Sequence, residues 1–115
     1  MAPSVWDVVR VPFPYADRPI RQRRPALVVA VPGKGTGPGL IWVLMITSAQ
    51  NRGWDGDVAI VEFASAGLPV ASLVRTDKIA TIELRDAEPI GHLTDAERHG
   101  VAARLRHNLG AAGWP

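Results

Sequence analysis

The sequence predicts a small, mainly β domain: a twisted antiparallel barrel with one C-terminal helix. Two observations support this prediction. Most of the chain consists of short apolar or alternating runs separated by Gly, Pro and Asp, which is typical of consecutive strands. A capping box, Thr94-Asp95-Ala96-Glu97, then precedes apolar residues at helical spacing. With 115 residues, the chain is long enough for one domain, residues 1–115, and too short for two.

Seven strands are predicted along the chain. The first alternates and ends at Pro12-Phe13-Pro14, and the second and third are the most apolar runs. The fifth and sixth are separated by Asp77, which we interpret as a turn residue. The predicted strands are Val5–Phe13, Ala26–Val31, Leu40–Thr47, Asp57–Phe63, Ser72–Thr76, Lys78–Leu84 and Glu88–Leu93. The helix begins at the capping box, and Gly110 is expected to end it.

The composition excludes several classes of protein. There is no cysteine, so disulfides and thiolate metal sites are excluded. The longest apolar run, Leu40–Ile46, is far shorter than the roughly 20 residues that span a bilayer. The first segment lacks the features of a secretory signal, so we expect a cytoplasmic protein without membrane contact. Acidic residues are scattered and the three histidines lie late in the chain, so no metal or other cofactor is expected.

A cluster of arginines stands out although the net charge is only +2. Arg18, Arg21, Arg23 and Arg24 fall within seven positions, and such local density is typical of a surface that binds a polyanion. The alternative is a solvated loop. Pro25 disfavours helix at Arg24, which places this arginine where loop becomes strand. Because the start of one antiparallel strand lies beside the end of its neighbour, we expect Arg24 near Thr47.

Several segments together resemble the MazF/PemK family of bacterial toxin endoribonucleases. They are VVRVPFPYADRPIRQRRPALVV, the strand ending in Ile46-Thr47-Ser48, and GLPVASLVRTDKIATIE, and the similarity runs from about Trp6 to Leu109. Two positions depart from the family pattern: Trp6 stands where Gly usually precedes the first Asp, and Ile46 stands where Pro usually precedes Thr-Ser. The resemblance implies an SH3-like barrel, a homodimer, single-stranded RNA (mRNA) as substrate and a separately encoded cognate antitoxin as partner.

The resemblance also implies metal-free cleavage, in which the 2′-hydroxyl attacks the adjacent phosphorus and leaves a 2′,3′-cyclic phosphate and a 5′-hydroxyl. Arg24 suits this chemistry because a guanidinium pairs bidentately with phosphate oxygens, and Thr47 offers a hydroxyl on a stiff side chain. Both are the catalytic candidates. The candidates for binding RNA are Arg18, Arg21, Arg23, Ser48, Gln50, Asn51, Arg75 and Lys78. A guanidinium is a poor base, so the sequence does not identify the group that deprotonates the 2′-hydroxyl.

Other functions stay open at this stage. A non-enzymatic toxin or RNA-binding barrel of the same fold, similar to the gyrase-poisoning toxins, would also keep the basic loop. A purely structural barrel would make the arginine cluster accidental. Trp54 either stacks on a base or caps the edge of the core. Arg24 and Thr47 favour the endoribonuclease.

Overall fold

One antiparallel sheet organises the chain, with strand order β4-β5-β3-β2-β1-β6. The computed structural model describes residues 3–12, 22–32, 39–51 and 53–115. The elements of these residues are β1 (Asp7–Pro12), β2 (Arg23–Ala30), β3 (Leu40–Ser48), β4 (Asp57–Ile60), β5 (Ser72–Glu83), β6 (Glu88–His92) and the helix α1 (Asp95–Ala111), with short 3-10 turns at Ala49–Asn51 and Leu84–Asp86. Within these residues, no helix is both long and apolar enough to cross a membrane.

Strands β1 to β3 are apolar on both faces because both faces of the sheet are covered. On one face Leu27 and Leu44 pack in a cluster that includes Val101 of α1. On the other face Val28 and Val43 belong to a second cluster. Alternation along a strand sends successive side chains to opposite faces, so neighbouring valines of one strand enter different clusters.

Segment 61–71 joins β4 to β5 in the chain and crosses to the opposite edge of the sheet, at β6. It follows β4 directly, and it packs on β6, where the His92 amide donates to the carbonyl oxygen of Ser65 at 3.2 Å. Gly91 allows this approach, because a Cβ there would lie 2.2 Å from the carbonyl carbon of Ala66. Covering the outer edge of β6 in this way leaves fewer unpaired backbone groups.

The predicted capping box is confirmed at the start of α1. Thr94 Oγ1 accepts from the amide of Glu97 at 3.3 Å, and Glu97 Oε1 accepts from the amide of Thr94 at 3.2 Å. Glu97 Oε2 also accepts from two amides of segment 61–71, so this side chain ties the helix to the loop after β4. The predicted stop at Gly110 was wrong, because α1 continues to Ala111. The glycine that has a positive φ after the helix is Gly113, at 99°.

The region of Asp77 corrects the predicted strand count. Residues 72–83 form one continuous strand rather than two, so the described residues contain six strands instead of seven. The register nevertheless shifts here, because Leu44 pairs with Ile79 whereas Met45 pairs with Arg75. Three residues of β5, 76–78, therefore separate two consecutive pairs. Extra residues of this kind bend a strand without reversing it, so the polar residue marks an irregularity in the ladder and no turn.

Candidate active site

A cleft of about 380 Å³ opens where β2 begins and β3 ends. Its two sides differ in character. One side is formed by segment 61–71, which contributes Leu68, Pro69 and Val70. The polar side chains that line the cleft are Arg10, Arg23, Arg24, Thr47, Ser48, Asn51 and Ser72. Three guanidinium groups on one cleft favour an anionic ligand.

Strand pairing brings the two catalytic candidates into this cleft. In the β2–β3 ladder Ala26 pairs with Met45, and counting two residues further along each antiparallel strand sets Arg24 opposite Thr47. Both side chains line the cleft. Arg24 Nη2 donates to the side-chain Oε1 of Gln22, the residue two positions earlier and just before β2, at 3.3 Å. Arg24 itself belongs to β2, so its Cα is fixed by the strand.

Asn51 orients the hydroxyl of Thr47. Its Nδ2 donates to Thr47 Oγ1 at 3.0 Å, which occupies one lone pair and leaves the O–H to donate elsewhere. The backbone of Asn51 is fixed in turn, because its carbonyl oxygen accepts a hydrogen bond from Nη2 of Arg75. The neighbouring Ser48 Oγ accepts from the amide of Gln50 at 3.3 Å. The turn after β3 therefore holds both hydroxyl groups at the mouth of the cleft.

Arg23 is held across the strand beside it. Its Nη2 donates to the carbonyl oxygens of Arg10, at 3.2 Å, and Asp86, at 3.3 Å, and forms an ion pair with Glu88 at 3.8 Å. Arg10 was not a candidate from the sequence. The signal in the sequence was an arginine inside an apolar strand. In the structure Arg10 pairs with Pro25, so it lies beside the start of β2.

The remaining candidates lie in different places. Gln50 is exposed in the turn after β3 and does not line the cleft. Arg75 does not line the cleft and stacks on Trp54, with its guanidinium carbon 4.3 Å from the ring centroid. Lys78 is half-buried in the irregular part of β5. Arg18 and Arg21 lie outside the described residues.

The described polar side chains that line the cleft carry guanidinium, hydroxyl and amide groups. Among the residues that the structure describes, no three His, Asp, Glu or Cys side chains are grouped as metal ligands. The charge available to stabilise a phosphoryl transition state in the cleft is that of arginine. Together with the Thr47 hydroxyl, this set can hold non-bridging phosphate oxygens and fix the position of an attacking group.

A family model matches most of the chain. The model for the PemK-like, MazF-like toxin of type II toxin–antitoxin systems matches residues 4–109. The chain belongs to this family. No curated protein sequence is similar enough to the chain to count as a match.

Solved structures of toxins share the fold. MazF from Deinococcus radiodurans aligns with a TM-score of 0.74 and 26% identity, covering 96% of this chain and 98% of that one. An endoribonuclease from Mycobacterial species, in complex with its cognate antitoxin, aligns with a TM-score of 0.72 and 22% identity, covering 99% and 100%. The Mycobacterium tuberculosis toxin MazF-mt6 aligns with a TM-score of 0.66 and 21% identity, covering 89% of this chain and 95% of that one. The last two likenesses, at their low identity, concern the fold alone.

Proposed function

We propose that this member of the toxin family is a metal-independent endoribonuclease that cuts single-stranded RNA. The observation that supports the proposal is the placement of Arg24 and Thr47 in one cationic cleft, with the Thr47 hydroxyl oriented by Asn51. The family is one of toxins in type II toxin–antitoxin systems. Cutting mRNA is an activity by which such a toxin stops growth, and the cleft has the charge that an RNA backbone requires.

In the proposed reaction the 2′-hydroxyl gives up its proton as its oxygen attacks the adjacent phosphorus, and the bond from phosphorus to the 5′-oxygen breaks. The products are a 2′,3′-cyclic phosphate and a 5′-hydroxyl, which takes up a proton. Arg24 pairs with the non-bridging phosphate oxygens, and this interaction strengthens as negative charge develops on them in the transition state. Thr47 donates to one such oxygen or positions the attacking 2′-hydroxyl. DNA lacks that hydroxyl, so it binds the cleft without reacting.

The proposal includes two protein partners. One is a cognate antitoxin, by analogy with the endoribonuclease from Mycobacterial species, which was solved in complex with its own. We expect the antitoxin of this toxin to cover the cationic cleft. The other is a second copy of the chain in an isologous homodimer, which would extend the RNA-binding surface beyond one small domain. Both are expected to meet the toxin in the cytoplasm, where mRNA is found. Sedimentation of a monomer with full activity would contradict the homodimer.

The test is cleavage of single-stranded RNA by purified protein in excess EDTA, with the new ends identified chemically. We expect 5′-hydroxyl ends, and we expect Arg24→Ala and Thr47→Ala each to lose about 10²- to 10³-fold in single-turnover rate. Arg24→Lys should restore only part of the rate, because an ammonium keeps the charge but loses the planar fork.

Arg85→Ala is the matched control. It removes an arginine whose side chain is 81% exposed and pairs with Glu83, outside the cleft. Activity that EDTA abolishes, or full activity of folded Arg24→Ala, would contradict the mechanism. A folded wild-type protein that cuts no RNA would favour the alternative, a non-enzymatic toxin of the same fold.

A further inference from the structure

A second cavity, of about 490 Å³, lies on the β4 edge of the sheet beside the cleft. Its residues come from the segment before β4, from β4 itself and from the facing part of β5. The lining residues are Gly53, Trp54, Asp55, Asp57, Ala59 and Leu73. We call it the edge pocket. Nothing in the proposed cleavage mechanism uses it.

Asp57 is the unexplained group of the edge pocket. Its side chain is only 8% exposed, and neither carboxylate oxygen has a hydrogen-bond partner among the described residues. Among the described residues Arg75 forms an ion pair with Asp57, but Nη2 stands 4.0 Å from Oδ2, too far for a hydrogen bond. That same Nη2 donates to the carbonyl oxygen of Asn51 instead. A buried carboxylate with unused acceptors is costly, so the pocket is suited to a ligand that donates hydrogen bonds.

Trp54 gives the pocket a surface for stacking. The indole is 45% exposed, and one of its faces is covered by the guanidinium of Arg75, 4.3 Å from the ring centroid. A planar ligand can therefore stack on the uncovered part of the indole. The side chains of Ala59 and Leu73 add an apolar surface within the same cavity. A planar ring with donor groups on its edge matches these features together.

Hydrogen bonds connect the edge pocket with the cleft. Thr47 Oγ1 accepts from Asn51, and the carbonyl oxygen of Asn51 accepts from Arg75, which contacts both Trp54 and Asp57. The two cavities also lie close together at β5, because Thr47, which lines the cleft, pairs with Leu73, which lines the edge pocket. A strand of RNA held in the cleft thus passes close to the edge pocket.

We propose that the edge pocket binds one RNA base, stacked on Trp54, and selects guanine through the carboxylate of Asp57. This inference rests on the proposed function and adds a base preference to it. Guanine presents N1–H and N2–H donors side by side, which match the two oxygens of a carboxylate, an acceptor-only group. Uracil presents one N–H between two carbonyl oxygens, so it offers the carboxylate a single hydrogen bond and places its own acceptor oxygens against the carboxylate.

The charges of the pocket disfavour other ligands. Asp55 and Asp57 repel a phosphate group, so the backbone of RNA belongs in the arginine-lined cleft and its base in the edge pocket. Two carboxylates do not make a metal site here, since Asp55 is engaged by Arg104 at 3.0 Å and its side chain is 99% exposed. A lysine-bearing peptide segment is the competing ligand for Asp57, and the experiment below includes it.

The test maps cleavage of a randomised single-stranded RNA by sequencing the new 5′-hydroxyl ends. For the wild type we expect guanine to be preferred over uracil by about 5- to 150-fold at one position near the cut, the range of a good bidentate contact. Asp57→Asn should bring that ratio close to 1, because an amide offers one donor and one acceptor. Preferences at other positions should persist. Asp77→Asn, an exposed residue of β5 that does not line the pocket, removes the same charge and should keep the guanine preference.

A binding measurement keeps the proposal testable if Asp57→Asn does not fold or the protein cuts no RNA. Wild-type protein, Trp54→Ala and Trp54→Phe are titrated by NMR with guanosine 5′-monophosphate and with uridine 5′-monophosphate. We expect the guanine nucleotide to bind more tightly to the wild type, binding to be lost in Trp54→Ala, and binding to be largely kept in Trp54→Phe. Such binding without any cleavage would leave the pocket assigned and contradict the endoribonuclease.

Three results would overturn the proposal. The first is an unchanged base preference in folded Asp57→Asn. The second is an equal loss of rate on all RNA sequences, which would mean that Asp57 only positions Arg75. The third is Asp57-dependent binding of the peptide Gly-Lys-Gly with no difference between the two nucleotides, which would assign the pocket to a protein segment.

Discussion

The hydrogen bond from Asn51 to Thr47 offers a direct test of how the cleft is built. Asn51→Ala removes the Nδ2 donor that stands 3.0 Å from Thr47 Oγ1. The backbone carbonyl that accepts from Arg75 is kept, so the turn after β3 should hold its shape. The change therefore releases the rotation of one hydroxyl and leaves the position of its Cα fixed.

The size of the effect follows from that single interaction. A neutral hydrogen bond contributes about 0.5–1.5 kcal/mol net. If the oriented hydroxyl acts only in the transition state, Asn51→Ala should lower the single-turnover rate by about 2- to 13-fold at saturating enzyme. Asn51→Asp should lose more, because it replaces the donor by an acceptor and sets a negative charge next to the phosphate. Saturating enzyme separates this effect from any loss of RNA affinity.

The chain contains a matched control for this substitution. Asn108 Nδ2 donates to Thr76 Oγ1 at 2.9 Å, the same pair of groups at a place that does not line the cleft. Asn108→Ala should lower stability but not the single-turnover rate. In a Thr47→Ala background, Asn51→Ala should have no further effect on the rate. Equal losses from both asparagine variants, or additive losses of Asn51→Ala and Thr47→Ala, would refute the reasoning.

Two further predictions concern stability, each measured by urea unfolding. Glu97→Ala removes the capping interaction and two hydrogen bonds to the loop after β4, so it should lower the free energy of unfolding by about 2–3 kcal/mol. Its control is Asp95→Ala, in the same turn. The Asp95 side chain is 90% exposed, so this change should lower the free energy of unfolding by less than about 1 kcal/mol. Gly91→Ala should prevent stable folding because its Cβ would lie 2.2 Å from Ala66, whereas Gly110→Ala, with nothing within 4 Å, should stabilise α1 by up to about 1 kcal/mol. Similar values for the two members of either pair would contradict these accounts.

The sequence predicts the position of the cleft because that position follows from strand pairing. Pro25 marks the start of β2, Thr47 lies near the end of β3, and antiparallel pairing leaves little freedom in how the two ends meet. The same reasoning does not find Arg10, because finding it requires knowing that β1 is the strand on the other side of β2. The order β4-β5-β3-β2-β1-β6 arises from packing between distant segments, which local patterns do not encode.

The error at Asp77 has a similar cause. A single polar residue between apolar runs is typical both of a turn and of an irregular ladder, and only the partner strand distinguishes them. Here β3 continues straight past the irregularity, so Leu44 and Met45 pair on either side of it. The edge pocket was missed for the same reason. Asp57 is the first residue of β4, and an acidic residue at a strand end is ordinarily exposed. Its burial depends on where Trp54 and Arg75 lie, which the local sequence does not indicate.

The two departures from the family pattern have different physical meanings. Trp6 has a φ of 77°, a conformation that glycine adopts freely and a bulky residue adopts rarely. Its backbone requires that conformation, since its amide donates to Val28 at 2.8 Å and its carbonyl accepts from Leu93 at 3.3 Å. Strain of about 1–3 kcal/mol is comparable to the gain from packing the indole on the core. This departure affects folding, and Trp6 does not line the cleft, whereas Ile46 lines it directly beside Thr47, so only the second departure bears on the proposed cleavage.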